Sequence, residues 1–128
     1  MSTTRLKACS EMAHLPATGL HLIADLKGGT GLGDCARIEQ AVRAAAAAAK
    51  ARVIGAHFHH FGEGQGVTGV ALLAESHISI HTWPETGDTA VDLFICGPAA
   101  DVEAGLAVMA EMLGATVVRQ QTVARLGR

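Results

Sequence analysis

The sequence predicts an α/β (α+β) two-layer sandwich: a mainly antiparallel sheet with two helices on one face. Three observations lead there. Short apolar segments recur between Gly, Pro and Asp punctuation, two longer stretches of helix formers lack breakers, and the order reads β-α-β-β-β-β-α-β. Split near residue 75, that order gives two halves of similar weight, and 128 residues suit a single domain over 1–128.

"GLHLIADL" (Gly19–Leu26) is apolar and opens after Pro16, so it reads as a buried strand. "KGGTGLGD" (Lys27–Asp34) is a glycine-rich loop whose last residue can N-cap "CARIEQAVRAAAAAAKA", a helix expected over about 35–51. The alanine run 44–49 resembles low complexity, but small residues also let a helix lie close on a sheet. "RVIGAHFHHF" (Arg52–Phe61) is the next strand and "GEGQG" a turn. "VTGVALLAE" (Val67–Glu75) and "HISIHTW" (His77–Trp83) are strands, Pro84 to Gly87 a turn, and "TAVDLFICG" (Thr89–Gly97) a further strand. Pro98 precedes a second helix, "ADVEAGLAVMAEMLG", which Gly114 terminates, and Ala115–Leu126 is the last strand.

The chain is 49% hydrophobic and 17% charged. That is apolar enough to imply that an oligomer covers part of the surface. A formal net charge of -2 without a basic stretch argues against nucleic-acid or membrane-surface partners. No apolar run is long enough for a membrane span. "MSTTRLKACSEMAHLPATG" lacks the apolar core of a signal peptide and reads as a loose leader. Cys9, Cys35 and Cys96 are odd in number and widely spaced, which suits free thiols in a reducing cytoplasm.

"LLAESHISIHTW" (Leu72–Trp83) is the chemical anomaly: a strand-like segment carrying Glu75, Ser76, His77, Ser79 and His81. Alternation puts His77, Ser79 and His81 on the face opposite Ile78 and Ile80, and groups Asp92, Phe94 and Cys96 likewise on the neighbouring strand. Weaker candidates surround it. "HFHH" (His57–His60) has histidines but no acidic or thiol companions, so no metal is expected. "GGTGLGD" sits between strand and helix yet fits no phosphate-loop pattern, which favours a flexible turn. Ser76, His81 and Asp92 have the residue types of a hydrolase triad without a GxSxG elbow. Cys96, by type alone, is more often a small core residue than a reactive one.

The segment "AESHISIHTWPETGDTAVDLFICG" (Ala74–Gly97) resembles the signature of the bacterial S-adenosylmethionine decarboxylase proenzymes, small self-cleaving enzymes of polyamine synthesis. "GLHLIADL" and "FHHFGEGQGVTGVALLAESH" extend the resemblance over roughly residues 19–114. It implies scission of the Glu75–Ser76 bond into a β chain, 1–75, and an α chain, 76–128. Ser76 would become a covalent pyruvoyl group that forms a Schiff base with the substrate amine. His81 matches the family's processing proton acceptor and Cys96 its catalytic proton donor. A homodimer of αβ protomers is also implied.

The chain departs from the family pattern where two tyrosines are replaced by Thr86 and Asp88. Trp83, Phe58, Phe61 and Phe94 remain as aromatic surfaces for an adenine and a sulfonium. Glu85, Trp83, Asp88 and Phe61 are the candidate substrate contacts. Asp88 also admits an alternative substrate, the cationic side chain of arginine or ornithine, or the blander role of a solvated turn residue. An unprocessed, non-catalytic homologue is the second alternative, which Glu75, Ser76, His81 and Cys96 all speak against.

Overall fold

The computed structural model describes residues 18–127. The expected leader, with Cys9, lies outside the described residues. The elements are β1 (Gly19–Gly28), α1 (Cys35–Ala48), β2 (Val53–His60), β3 (Val67–Leu73), β4 (Ser76–Trp83), β5 (Asp88–Cys96), α2 (Val102–Leu113) and β6 (Ala115–Arg125). All strand pairs are antiparallel, in the order β2-β3-β4-β5-β1-β6. Both helices cover one face, as the alternation predicts.

The core lies between that face and the helices. Leu22, Leu26, Ile78, Ile80, Leu93 and Ile95 meet Ile38, Val42, Leu106, Met109 and Leu113, all buried. Each such side chain contributes about 1.5–3 kcal/mol of apolar burial. The alanine run is packing rather than low complexity: Ala41, Ala45, Ala46 and Ala49 are fully buried. The helices approach so closely at Gly105 that an added Cβ would sit 3.0 Å from the Ala45 carbonyl oxygen and 3.3 Å from the Ala49 Cβ.

Asp34 caps α1 by accepting from the Arg37 N–H at 3.2 Å. The helix stops at Ala48, short of the expected residue 51. Lys50 turns left-handed (φ 66°), and the N–H groups of Lys50 and Ala51 bond back to Ala47 and Ala46. This is a Schellman closure without its usual glycine, so the sequence carried no stop signal. Asp101 and Gly114 bound α2 as expected: Asp101 accepts from Ala104 N–H at 3.0 Å, and Gly114 is left-handed at φ 67°.

One strand boundary is corrected. Glu75 does not end a strand: β3 stops at Leu73, Leu73 pairs with Ser76, and Ala74–Glu75 form a two-residue turn. The two halves of the element order interleave in one sheet, with β1 of the first lying between β5 and β6 of the second. No helix among the described residues is long and apolar enough to cross a membrane.

Candidate active site

The sheet face away from the helices is open, and strand register sorts its side chains into rows. One row runs Val123, His21, Phe94, His77, Leu72; the next runs Gln121, Ile23, Asp92, Ser79, Val70, His57; a third runs Arg119, Asp25, Ala90, His81, Thr68, His59. The grouping of His77, Ser79 and His81 with Asp92, Phe94 and Cys96 is therefore as the alternation predicts.

Ser76 and Cys96 meet at one end of this grid. The Cys96 N–H donates to Ser76 Oγ at 2.9 Å. Glu75, immediately before, is left-handed at φ 63°, a conformation costing a side-chain-bearing residue about 1–2 kcal/mol. Strain thus sits on the peptide unit that precedes the serine. Gly19 lies beside this pair, and its missing Cβ matters. Built there, the atom would crowd Phe94 Cε1 at 3.0 Å and Cys96 Sγ at 3.2 Å.

Next along the strands is a network centred on half-buried Asp92, which the sequence reading missed. His21 Nε2 lies 2.6 Å and His77 Nε2 2.9 Å from Asp92 Oδ2, and the Ser79 hydroxyl donates to Oδ1. Arg125 donates to His21 Nδ1 at 2.9 Å, and its guanidinium lies 5.3 Å from the Phe94 ring centre. Burial pushes the Asp92 carboxyl up, but the hydrogen bonds from Ser79, His21 and His77 outweigh it and hold it below its ordinary range. The one available signal was His21, two residues into "LHLIADL" and on the same alternation as Gly19 and Ile23.

His21, His77 and Asp92 also bring three possible metal-ligand atoms within 4.8 Å of one another. The observed partners favour hydrogen bonding instead. A neutral imidazole has one N–H; with His21 Nδ1 accepting from Arg125, Nε2 must be the donor to Asp92. A metal on Nε2 would place the proton on Nδ1, facing the guanidinium donors.

His81 is not brought to Ser76. It lies five residues along β4, about 17 Å at a strand's rise, on the opposite face, and its Nδ1 contacts Thr68 Oγ1 at 3.1 Å. Its ring lies 6.3 Å from that of Trp83. Phe61 and Trp83, both partly exposed, and Glu85, in the Pro84–Gly87 turn, gather at this far end. Near His81 a cavity of about 380 Å³ is lined by Ile23, Asp25, Ser79, Asp92 and Arg119 among others, a size suited to a small ligand.

Other candidates resolve differently. Asp88 opens β5 rather than sitting in a turn. Its carboxylate is held by Lys27 Nζ at 2.9 Å and Thr86 Oγ1 at 2.6 Å, and those bonds, Thr86's first, hold its pKa down. Phe58 is no substrate surface, for its ring fills the space over Gly69 against the core. Asp92 joins neither Ser76 nor His81, so there is no hydrolase triad. In "HFHH", His59 meets Phe61 edge-to-face with ring centres 4.6 Å apart, and His60 reaches the Gln65 carbonyl. The glycine-rich loop is pinned rather than flexible. Arg37 reaches the carbonyls of Thr30 at 3.1 Å and Met112 at 2.8 Å, clasping the start of α1 to the end of α2.

Comparison with known proteins identifies the family. The family model described as S-adenosylmethionine decarboxylase matches residues 20–126. An S-adenosylmethionine decarboxylase proenzyme of Thermomicrobium roseum is 39% identical over 97 residues, 76% of this chain and 84% of that one. The one from Parasynechococcus marenigrum is 50% identical over 84 residues, 66% of this chain and 65% of its own. The crystal structure of the adenosylmethionine decarboxylase from Aquifex aeolicus has a TM-score of 0.65 at 32% identity, covering 87% of this chain and 91% of that one. The chain whose sheet brings Ser76 to Cys96 and builds the Asp92 network on its open face thus belongs to the S-adenosylmethionine decarboxylase family.

Proposed function

We propose that the chain cuts its own backbone between Glu75 and Ser76, turns Ser76 into a pyruvoyl group, and uses it to decarboxylate S-adenosylmethionine in a site completed by a second copy of the chain. The observation that carries the reading is the left-handed Glu75 joined to a serine whose hydroxyl is already fixed by the Cys96 N–H. Attack of Ser76 Oγ on the Glu75 carbonyl carbon converts the amide into an ester and releases backbone strain. Removal of the Ser76 α proton then expels the Glu75 carboxylate, which carries Oγ away with it. The resulting dehydroalanine takes up water and releases ammonia, leaving a keto group at residue 76. Without the acyl shift the oxygen on the Ser76 Cβ would have to leave as hydroxide, a poor leaving group, so the shift to an ester comes first.

When formed, the pyruvoyl carbonyl supplies an electron sink for the charge left as CO2 departs. The chain's own groups do the rest. The Cys96 thiol, beside which Gly19 adds no side chain, delivers a proton to the product carbon. His81 is the base for maturation, its imidazole taking up the Ser76 α proton. Phe61 and Trp83 offer faces to an adenine and a sulfonium, with Glu85 beside them.

A two-fold homodimer of cleaved protomers reconciles the separation of these groups. Packing two open faces antiparallel brings the His81–Trp83 end of one sheet to the Ser76–Cys96 end of the other. The same contact covers Ile23, Leu72 and Val123, each exposed on the open face. The free thiols of Cys35 and Cys96 suit a reducing cytoplasm. Arginine or ornithine as substrate finds no support in Asp88, whose carboxylate is already engaged by Lys27 and Thr86.

Intact-mass analysis of freshly purified protein tests the reading. Two fragments, 1–75 and 76–128, with the second gaining mass on borohydride reduction in the presence of S-adenosylmethionine, are expected. A chain that stays whole and releases no CO2 overturns it.

A further inference from the structure

In the uncut chain, residue 76 has two local tethers: its peptide bond to Glu75 and the hydrogen bond from Cys96 N–H to its hydroxyl. The proposed maturation removes both, since the peptide bond is broken and Oγ leaves on the Glu75 carboxylate. The first residue of β4 then becomes a chain terminus, and strand termini fray. Yet its carbonyl has to stay in place relative to Cys96, because misplacement by about 1 Å can cost on the order of 10²-fold in rate.

The nearest side-chain tether that survives is on the next residue. His77 donates from Nε2 to Asp92 Oδ2 at 2.9 Å. Asp92 is itself held from two further sides, by His21 Nε2 at 2.6 Å and by Ser79. Arg125 fixes the His21 tautomer that makes Nε2 the donor. The network runs from β6 through β1 and β5 to the start of β4, so it ties the new terminus to three strands.

We propose that Asp92 is a positioning residue: through His77 it holds the start of β4 in register with Cys96 once the chain has been cut. This rests on the cleavage reading above. In the uncut chain the same contact is redundant, because the Ala74–Glu75 turn still holds residue 76.

That asymmetry provides the test. Asp92→Asn is compared with the wild type in the cut form, and Ser76→Ala/Asp92→Asn with Ser76→Ala in the uncut form. The readouts are intact mass, hydrogen exchange at His77–Ser79 and steady-state kinetics. The expected cut Asp92→Asn protein bears its carbonyl, exchanges the amides of residues 77–79 about tenfold faster than the wild type, and loses about tenfold or more in kcat with KM within about twofold. In the uncut pair, exchange at these amides is unchanged. His77→Phe serves as a second variant with the same expected signature, and His77→Gln, which keeps an N–H in the Nε2 position, recovers part of the loss. Equal acceleration in cut and uncut forms, or none in the cut form, overturns the proposal. So does an Asp92→Asn chain that folds but is not cut, since the role would then lie in maturation. A wild-type chain that stays whole instead sinks the cleavage reading, on which this one stands.

Discussion

Mixing two inactive variants gives a sharp prediction. One chain carries Ser76→Ala and the other His81→Ala. Along β4 the two positions are five residues apart, about 17 Å, and they face opposite sides of the sheet, so no rotamer of His81 reaches its own Ser76. If the partner supplies the imidazole, a mixed dimer holds one site with both wild-type groups and one with neither. Random pairing makes half of the dimers mixed, so co-expression should restore about a quarter of the wild-type sites. Each variant alone lacks either the serine or a base worth about 10²–10⁴-fold, so the recovery is easily read. The assay is tandem-tag purification of mixed dimers, with CO2 release from S-adenosylmethionine and the fraction of His81→Ala chain cut at residue 75. Mixed dimers no more active or more cleaved than the variants alone would refute the shared site.

Four further predictions concern the scaffold. Thr82 Oγ1 is buried, accepts from Val67 N–H at 2.9 Å and donates to the Leu32 carbonyl at 2.6 Å. Thr82→Val should therefore cost about 1–3 kcal/mol in urea unfolding. Thr89→Val, which removes a buried hydroxyl with no partner among the described residues, should be neutral or stabilising by about 1 kcal/mol. A Cβ at Gly66 would overlap the Thr82 carbonyl oxygen, whereas nothing lies within 4 Å of one at Gly55. Chemical denaturation should show Gly66→Ala losing about 2 kcal/mol or more and Gly55→Ala less than about 0.5 kcal/mol. Asp92, with its pKa depressed on folding, stabilises the fold fully above its unfolded value near 3.8. That contribution fades as pH falls from there through the lower folded value. Unfolding followed from about pH 6 to about pH 2 should show a smaller acid-induced loss for Asp92→Asn than for the wild type; identical acid profiles would contradict it.

Alternation made most of the sheet legible. Ile78, Ile80, Leu93 and Ile95 are buried with their polar neighbours opposite, because a strand's period of two leaves no other sorting. The end of α1 was less visible, since Lys50 adopts a conformation that glycine usually signals. The Ser76–Cys96 end was readable through local motif, but the Asp92 network was not. Its members His21, His77 and Asp92 come from three strands, and only the insertion of β1 beside β5 brings His21 across from Phe94. The distance between Ser76 and His81 was also hidden. Five positions look close in a sequence, but extended backbone makes them remote.

The placement of β1 between β5 and β6 has a consequence for the protein's lifetime. Before the cut, an unfolded molecule can regain its sheet alone, at a rate independent of concentration. After the proposed cut, β1 and the strands that flank it would belong to different polypeptides, so recovery would need two molecules to find each other. Self-scission would thereby turn a renewable fold into one that lasts only as long as its barrier to unfolding.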